Sequence, residues 1–209
     1  MSNTLIEKIK ILQPSIRKEI NNKLKEFENN LYTTPEQKFL ELCFCILVAN
    51  TSLEKTKVIW EKVDRGFISL PEHKLKEKLR TLGYRFYNKR ASYIVSARKF
   101  IKDIDFIVST KEGEVVRAWL VKNIKGIGWK EASHFLRNLG FKNFAILDRH
   151  VLKILVKYKV ISRKPLTLSK EKYLEIEGKL RKIADNLSLT LAELDLYLFY
   201  LDTGKICEK

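Results

Sequence analysis

The sequence predicts an all-α protein, on three observations. Apolar residues recur at spacings of three and four along most of the chain, clean alternation is scarce, and Pro, Gly and capping residues fall where helices should begin and end. With 209 residues, 45% of them hydrophobic, the chain can bury a real core, as one large domain or as two small ones sharing a cleft. No Ser/Gly-rich linker, low-complexity tract or long-period repeat interrupts it, which argues against separable modules.

Thr34-Pro35-Glu36-Gln37 supplies an N-cap, a first-turn proline and a capping-box Gln, opening an apolar helix to about Val48. Ser52 can cap the next helix, which carries Val58, Ile59 and Trp60. Pro71 starts a helix that ends at Leu82-Gly83, where glycine supplies the left-handed closing residue. Tyr93, Ile94, Ala97 and Ile101 share one face of a helix expected over about Lys89 to Lys102. A short helix from Glu112 to Lys122 carries Val115, Val116, Trp119 and Leu120, and after Asn123-Ile124-Lys125-Gly126-Ile127-Gly128 a second begins at about Trp129. Thr190-Leu191-Ala192-Glu193 is a capping box, with Leu189 and Leu194 spaced as a hydrophobic staple, so the last helix should run from Leu191 to about Asp202.

Lys plus Arg number 41 against 25 Asp plus Glu, a formal charge of +16, more than solubility needs and indicative of a polyanionic partner, nucleic acid first. A Lys-rich thermophile-type surface, suggested by only two Gln, normally stays near charge balance, and this one does not. Cys43, Cys45 and Cys207 include no pair at CxxC spacing, and the first two lie in the apolar run Leu42 to Leu47, so buried free thiols are expected. His73, His134 and His150 are scattered, and no iron–sulfur or zinc ligand set can be assembled. MSNTLIEKIK lacks a long apolar core and no stretch approaches a membrane span, so a soluble intracellular protein is expected.

The most informative segment is Val121 to Ser133. Gly126 and Gly128 flank one apolar residue, Ile127, and permit a tight hairpin between helices, with Ile127 anchoring it in the core. Such a turn aims backbone N–H groups outward at the positive end of the second helix, which suits a phosphate oxygen. A GxG turn also occurs between helices that bind nothing; Lys122, Lys125 and Lys130 around this one favour phosphate. Lys130 stands in the first turn of the second helix, where the dipole disfavours a cation and, with Trp129 desolvating it, favours the neutral nucleophilic amine. A surface lysine touching phosphate is the alternative. Eighteen residues on, the apolar run Phe144 to Leu147 leads to Asp148, which can N-cap the helix of Val151, Leu152, Ile154 and Leu155. Gly140 and the loop after it would let this helix start return beside the hairpin, and a carboxylate there could stabilise an oxocarbenium-like sugar cation or shuttle protons.

The run Lys125-Gly126-Ile127-Gly128-Trp129-Lys130 followed by Leu147-Asp148-Arg149-His150 resembles the signature of the helix-hairpin-helix DNA glycosylase superfamily, in which lysine at this position marks the bifunctional glycosylase/lyases. Leu79 to Arg85 and Ala91 to Arg98 are similar to 8-oxoguanine DNA glycosylases in particular. Lys130 to Asn138 and the tail from Leu194 to Lys205 are similar to the small archaeal-type class. The resemblance spans about residues 35 to 204. It implies two helical subdomains flanking a cleft: residues 1–50 with 145–209, and 51–144, which carries the helix-hairpin-helix at about 112–138. The missing cysteine cluster implies no iron–sulfur centre, and there is no room for the N-terminal β domain of the eukaryotic-type enzymes.

The resemblance also implies a mechanism on damaged duplex DNA, with no cofactor and with the chain acting as a monomer. The enzyme bends the DNA, extrudes the nucleotide and plugs the gap. Asn50, in the loop Ala49 to Ser52, is the expected plug, Tyr84 the wedge, and Arg85 the residue directed at the partner cytosine. Lys130 attacks the anomeric carbon, Asp148 supports the developing positive charge, and the resulting iminium permits β-elimination. Lys125, Gly126, Gly128 and His150 are expected at phosphate, with a monovalent cation on the backbone carbonyls near Ile124 and Ile127 and no side-chain metal site. Phe199 is the expected stacking residue for the flipped base, though any one aromatic in Tyr197 to Tyr200 could equally be core, and Lys209 is an expected contact at the C-terminal end. The competing readings are a related glycosylase for another damaged base, a non-catalytic DNA-binding module using the hairpin for phosphate alone, and general RNA binding, which charge does not exclude.

Overall fold

The computed structural model describes residues 3–207 and is helical throughout, with no strand among the described residues. Its helices are α1 (Asn3–Asn30), α2 (Pro35–Val48), α3 (Leu53–Val63), α4 (Gly66–Ser69), α5 (Glu72–Thr81), α6 (Tyr87–Ala97), α7 (Ile101–Thr110), α8 (Gly113–Asn123), α9 (Trp129–Asn138), α10 (Arg149–Lys157), α11 (Lys170–Asn186) and α12 (Leu191–Thr203). None of them is long and apolar enough to cross a membrane. Two compact units divide the chain: Asn30–Leu139, and Met1–Asn29 with Gly140–Lys209.

The unit Asn30–Leu139 is built around α2. Thr34 accepts from the Gln37 N–H at 3.3 Å, the Gln37 side chain accepts from the Thr34 N–H at 3.0 Å, and Pro35 needs no donor at N1. Phe39 and every residue from Leu42 to Leu47 are wholly inaccessible, so α2 is apolar on all sides and must be surrounded. It packs against α3, α4, α6, α7 and α9. Its two buried charged residues are paired: Lys38 with Asp105 at 2.5 Å, and Glu41 with the Asn138 amide at 3.3 Å. This placement moves the boundary expected after residue 50 back to 29/30, and the later one from 144/145 to 139/140. The reason is packing, since an all-round apolar helix joins whichever elements enclose it.

The helix expected over Lys89 to Lys102 is interrupted. After α6 a 3₁₀ turn spans Arg98–Phe100 before α7 begins. Arg98 turns back to donate from Nε to the Phe67 carbonyl at 2.8 Å and from a terminal nitrogen to Gly66 at 3.4 Å, pinning the break to α4.

In the second unit, α1 buries Leu5, Ile9, Ile16, Ile20, Leu24 and Phe27, a stripe at helical spacing. The α12 helix packs against both α10 and α11 and buries Leu191, Ala192 and Leu194 to Leu198. Thr190 and Glu193 close its capping box, with the Thr190 N–H 2.7 Å from the Glu193 carboxylate and the Glu193 N–H 3.2 Å from the Thr190 hydroxyl. Gly140, at φ +85°, runs so close to α1 that a Cβ would lie 2.6 Å from the Glu28 Cα.

Candidate active site and DNA interface

Within the unit Asn30–Leu139 the hairpin forms between α8 and α9. The Ile124 N–H bonds to Leu120 at 2.9 Å and the Ile127 N–H to Ile124 at 3.2 Å, while both side chains are buried at 2% and 5% exposure and anchor the turn. Gly126 sits at φ +84°, and a Cβ there would fall 2.4 Å from the Tyr93 ring. Lys125 is exposed at the tip. Gly128 is the N-cap of α9 and has no side-chain oxygen to give, so Glu131 reaches back to accept the Gly128 N–H at 3.2 Å. Lys130 is the second residue of α9; its side chain is 22% exposed and its Nζ lies 3.8 Å from the other Glu131 oxygen. The wholly buried Cys45 of α2 feels the Lys130 charge, and burial pushes its thiol far up. Trp129 stacks on the Arg117 guanidinium, 4.8 Å from Cζ to the ring centroid.

The carbonyl oxygens of this turn are hard, neutral donors, and the one bond drawn to the Ile124 oxygen, from Ile127, leaves it a second lone pair. That donor set fits the monovalent cation that the resemblance implies.

Asn50, Arg85 and the hairpin belong to one unit and are linked through side chains of the α5–α6 segment. Asn50 is exposed at φ +63°, just past the end of α2. Arg85 donates to the Asn50 carbonyl at 3.3 Å, and Arg90 donates to both Ala49 and Gly126 carbonyls, each at 3.4 Å. Tyr84 departs from its expected role as wedge. It is 2% exposed, its hydroxyl donates to the Leu47 carbonyl at 2.6 Å, and burial pushes its phenol up to about 12. A ring locked onto the end of α2 cannot enter a base stack. Phe86, two residues on, is half-exposed, with the Arg85 guanidinium 4.3 Å from its ring centroid.

In the other unit Phe144 to Asp148 lie outside any helix, and the Asp148 N–H turns back to the Ile146 carbonyl at 2.9 Å. Glu177 of α11 accepts the Ala145 N–H at 3.0 Å, and the Tyr173 hydroxyl donates to the Ala145 carbonyl at 2.5 Å while accepting the Leu147 N–H at 3.4 Å. Three buried polar contacts thus fix the approach to Asp148. One oxygen of Asp148, Oδ1, accepts the N–H groups of both His150 and Val151, at 2.9 and 2.8 Å. Oδ2 has no partner among the described residues, so the cap consumes only half of the carboxylate.

His150 is held on its Nδ1 by Asp202, at 2.6 Å, and on Nε2 by the Arg149 Nε, at 3.1 Å. Lys153 also reaches Asp202 at 2.6 Å. Burial pushes the Asp202 carboxyl up, but the bonds from Lys153 and His150 outweigh it and hold the group below its ordinary range. The His150 ring meets Phe199 edge to face at 5.2 Å. Phe199 is half-exposed, whereas Tyr197 and Leu198 are buried core, so the structure separates these neighbours where the sequence could not. Lys209 lies outside the described residues. Asp202, Glu177 and Tyr173 escaped the sequence reading because each is a helix-borne polar residue whose partner lies 26 to 52 positions away.

The sequence model of the 8-oxoguanine DNA glycosylase family (Ogg-HhH) matches residues 20–189. The chain is 49% identical over 203 residues to the 8-oxoguanine DNA glycosylase/AP lyase of Methanocaldococcus jannaschii, covering 97% of this chain and 98% of that one. It is 46% identical to the enzyme of the same name from Korarchaeum cryptofilum, over 91% of both chains. Among solved structures it superposes on the M. jannaschii enzyme in complex with a 15mer DNA containing 8-oxoguanine, at a TM-score of 0.94 with 48% identity, covering 98% of this chain and 99% of that one. The 8-oxoguanine DNA glycosylase of Thermotoga maritima matches at a TM-score of 0.93 with 38% identity and 99% coverage of both. This chain, with its hairpin, its lysine at the start of α9 and its capping aspartate at the start of α10, belongs to the 8-oxoguanine DNA glycosylase family.

Proposed function

We propose that this protein excises 8-oxoguanine from duplex DNA and then cleaves the strand at the abasic site, with Lys130 as nucleophile and Asp148 as the assisting carboxylate. The observation that carries the reading is the pairing of a lysine in the first turn after the Gly126–Gly128 hairpin with a capping aspartate whose second oxygen is uncommitted, in a chain 49% identical to a named glycosylase/lyase.

The Lys130 amine attacks the sugar anomeric carbon, the C1′–N9 bond breaks, and the base departs with the bonding electrons. The Asp148 carboxylate stabilises the positive charge that gathers on the sugar ring. Transfer of a proton from the amine to the ring oxygen O4′, with the C1′–O4′ bond breaking, opens the sugar and gives an iminium between Lys130 and C1′. This acidifies the C2′ hydrogen, and its removal expels the 3′ phosphate by β-elimination. Lys125 and the N–H groups of the Gly126–Gly128 turn bind backbone phosphate, as does His150 oriented by Asp202. A monovalent cation on the carbonyls near Ile124 and Ile127 would add positive charge facing that phosphate. Asn50 fills the gap left by the extruded nucleotide, Arg85 addresses the base opposite, and Phe86, in place of the buried Tyr84, is the wedge. Phe199 stacks on the flipped base, and Lys209 contacts it from the C-terminal end. The protein works as a monomer, inside the cell, on chromosomal DNA.

Borohydride trapping on an 8-oxoguanine duplex tests this directly. Wild type should give a covalent adduct and Lys130→Gln none; an adduct undiminished in Lys130→Gln removes the lysine from the mechanism. Equal cleavage of thymine glycol and 8-oxoguanine duplexes would instead overturn the substrate.

A further inference from the structure

Arg117 is wholly buried, yet nothing in the mechanism above uses it. It lies on α8, and a terminal nitrogen forks onto Glu114 of the same helix, at 3.0 and 2.8 Å from the two carboxylate oxygens. Its other terminal nitrogen donates to the Ser133 hydroxyl at 3.3 Å, and its face lies against the Trp129 ring, 4.8 Å from the centroid. Trp129 and Ser133 are one helical turn apart, so they share a side of α9, and Lys130 is the residue between them at the start of that turn.

Two physical points make this arrangement informative. A buried guanidinium is a weak device for stability, because its desolvation offsets most of the attraction it gains and an apolar residue of similar volume would hold the helices together as well. What it supplies instead is direction: a planar fork that fixes its own orientation on Glu114 and a flat face that fixes Trp129. The start of α9 also needs such support. Its N-cap is a glycine without a capping side chain, and in its place Glu131 reaches back to accept the Gly128 N–H at 3.2 Å. A nucleophile at the end of a fraying turn would lose much of the advantage of being held in line with its target.

We propose that Arg117 is the positioning residue for Lys130: by clamping Trp129 and Ser133 against α8 it holds the first turn of α9, and with it the attacking amine, in the geometry that reaction with the sugar requires. It touches neither DNA nor the reacting atoms. The proposal rests on Lys130 being the nucleophile, and the two can fail separately. An adduct that persists in Lys130→Gln defeats the nucleophile; an adduct lost in Lys130→Gln beside an unimpaired Arg117 variant defeats only the clamp.

The test is Arg117→Met, which keeps the volume and removes the fork, with Arg117→Lys, which keeps the charge and loses the plane. Single-turnover strand cleavage should fall about tenfold or more in both, while the dissociation constant for the 8-oxoguanine duplex stays within about threefold of wild type. The same factor should appear on a preformed abasic-site duplex, where no base has to be recognised. Each rate is taken well below the melting temperature of the variant. A rate within about twofold of wild type in Arg117→Met, or full rescue by Arg117→Lys at a wild-type rate, overturns the proposal. If Arg117→Met does not melt cooperatively, Glu114→Gln decides the matter from a side chain that is 60% exposed. The freed fork should lower the single-turnover rate at least about threefold with duplex binding intact, and an unchanged rate overturns the clamp.

Discussion

Asp148 caps α10 with one oxygen and, in the proposed mechanism, assists catalysis with the other, and a pair of substitutions separates the two. Oδ1 accepts both cap bonds, at 2.9 and 2.8 Å, so Asp148→Asn can reproduce the cap with its amide oxygen while abolishing the charge. Asp148→Ala removes both bonds, at a cost of about 0.5–2 kcal/mol, plus about 0.3–1 kcal/mol for the favourable charge at the helix N-terminus. For a chain of this length each kcal/mol shifts the melting temperature by about 2–4 °C. Asp148→Ala should therefore melt several degrees below wild type, and Asp148→Asn within the smaller dipole contribution of it. Catalysis should not follow that order. Both variants lack the carboxylate that the proposed mechanism sets beside the developing cation, so single-turnover excision of 8-oxoguanine should fall about 10²-fold or more in each, with duplex affinity little changed. Thermal melting by circular dichroism and single-turnover cleavage of labelled duplex give the two readings. If Asp148→Asn cuts at a rate near wild type, the residue is only a cap; if Asp148→Ala melts with wild type, the cap argument is wrong.

Two further outcomes follow from the geometry. Gly126→Ala must hold a side chain at φ +84° and push on the Tyr93 ring at 2.4 Å, costing about 1–2 kcal/mol for the backbone and about 1–3 kcal/mol for the contact, whereas Gly178→Ala, in mid-helix with open space around it, should gain about 0.5–1 kcal/mol. Melting temperatures that move the same way in the two variants would contradict this. Asp202, whose carboxyl titrates below its ordinary range when folded, stabilises the fold above the unfolded value of about 4 and loses that contribution as the pH falls through its folded value. The gap in melting temperature between wild type and Asp202→Asn should be widest near neutral pH and close in acid; a gap that stays constant on acidification would show that the bonds from His150 and Lys153 contribute nothing through charge.

Much of the fold was legible because its signals are local. The α2 helix runs from Pro35 to Val48 as its cap and apolar run required, α8 and α12 begin and end within about a residue of where their signals put them, and α9 begins at Trp129 directly after Gly126–Gly128. Asp148 was recognisable as an N-cap for the same reason. Other elements were not resolved individually: α1, α4 and α7 lack such punctuation, the Ser169 cap of α11 went unread, and the break at Arg98 depends on carbonyls 31 and 32 residues away.

Sequence by itself determined the helices, the hairpin and the positions at which a lysine and a carboxylate stand at helix starts, because capping, glycine conformation and periodicity act within a few residues. Only the tertiary structure decided that Tyr84 is locked inside while Phe86 is left half-exposed, that Asp202 holds His150, that Arg117 is buried beneath the turn bearing Lys130, and that α2 belongs with the middle of the chain. In each of these cases the residue's fate is set by which distant element reaches it first, and packing of that kind leaves no periodic trace along the chain.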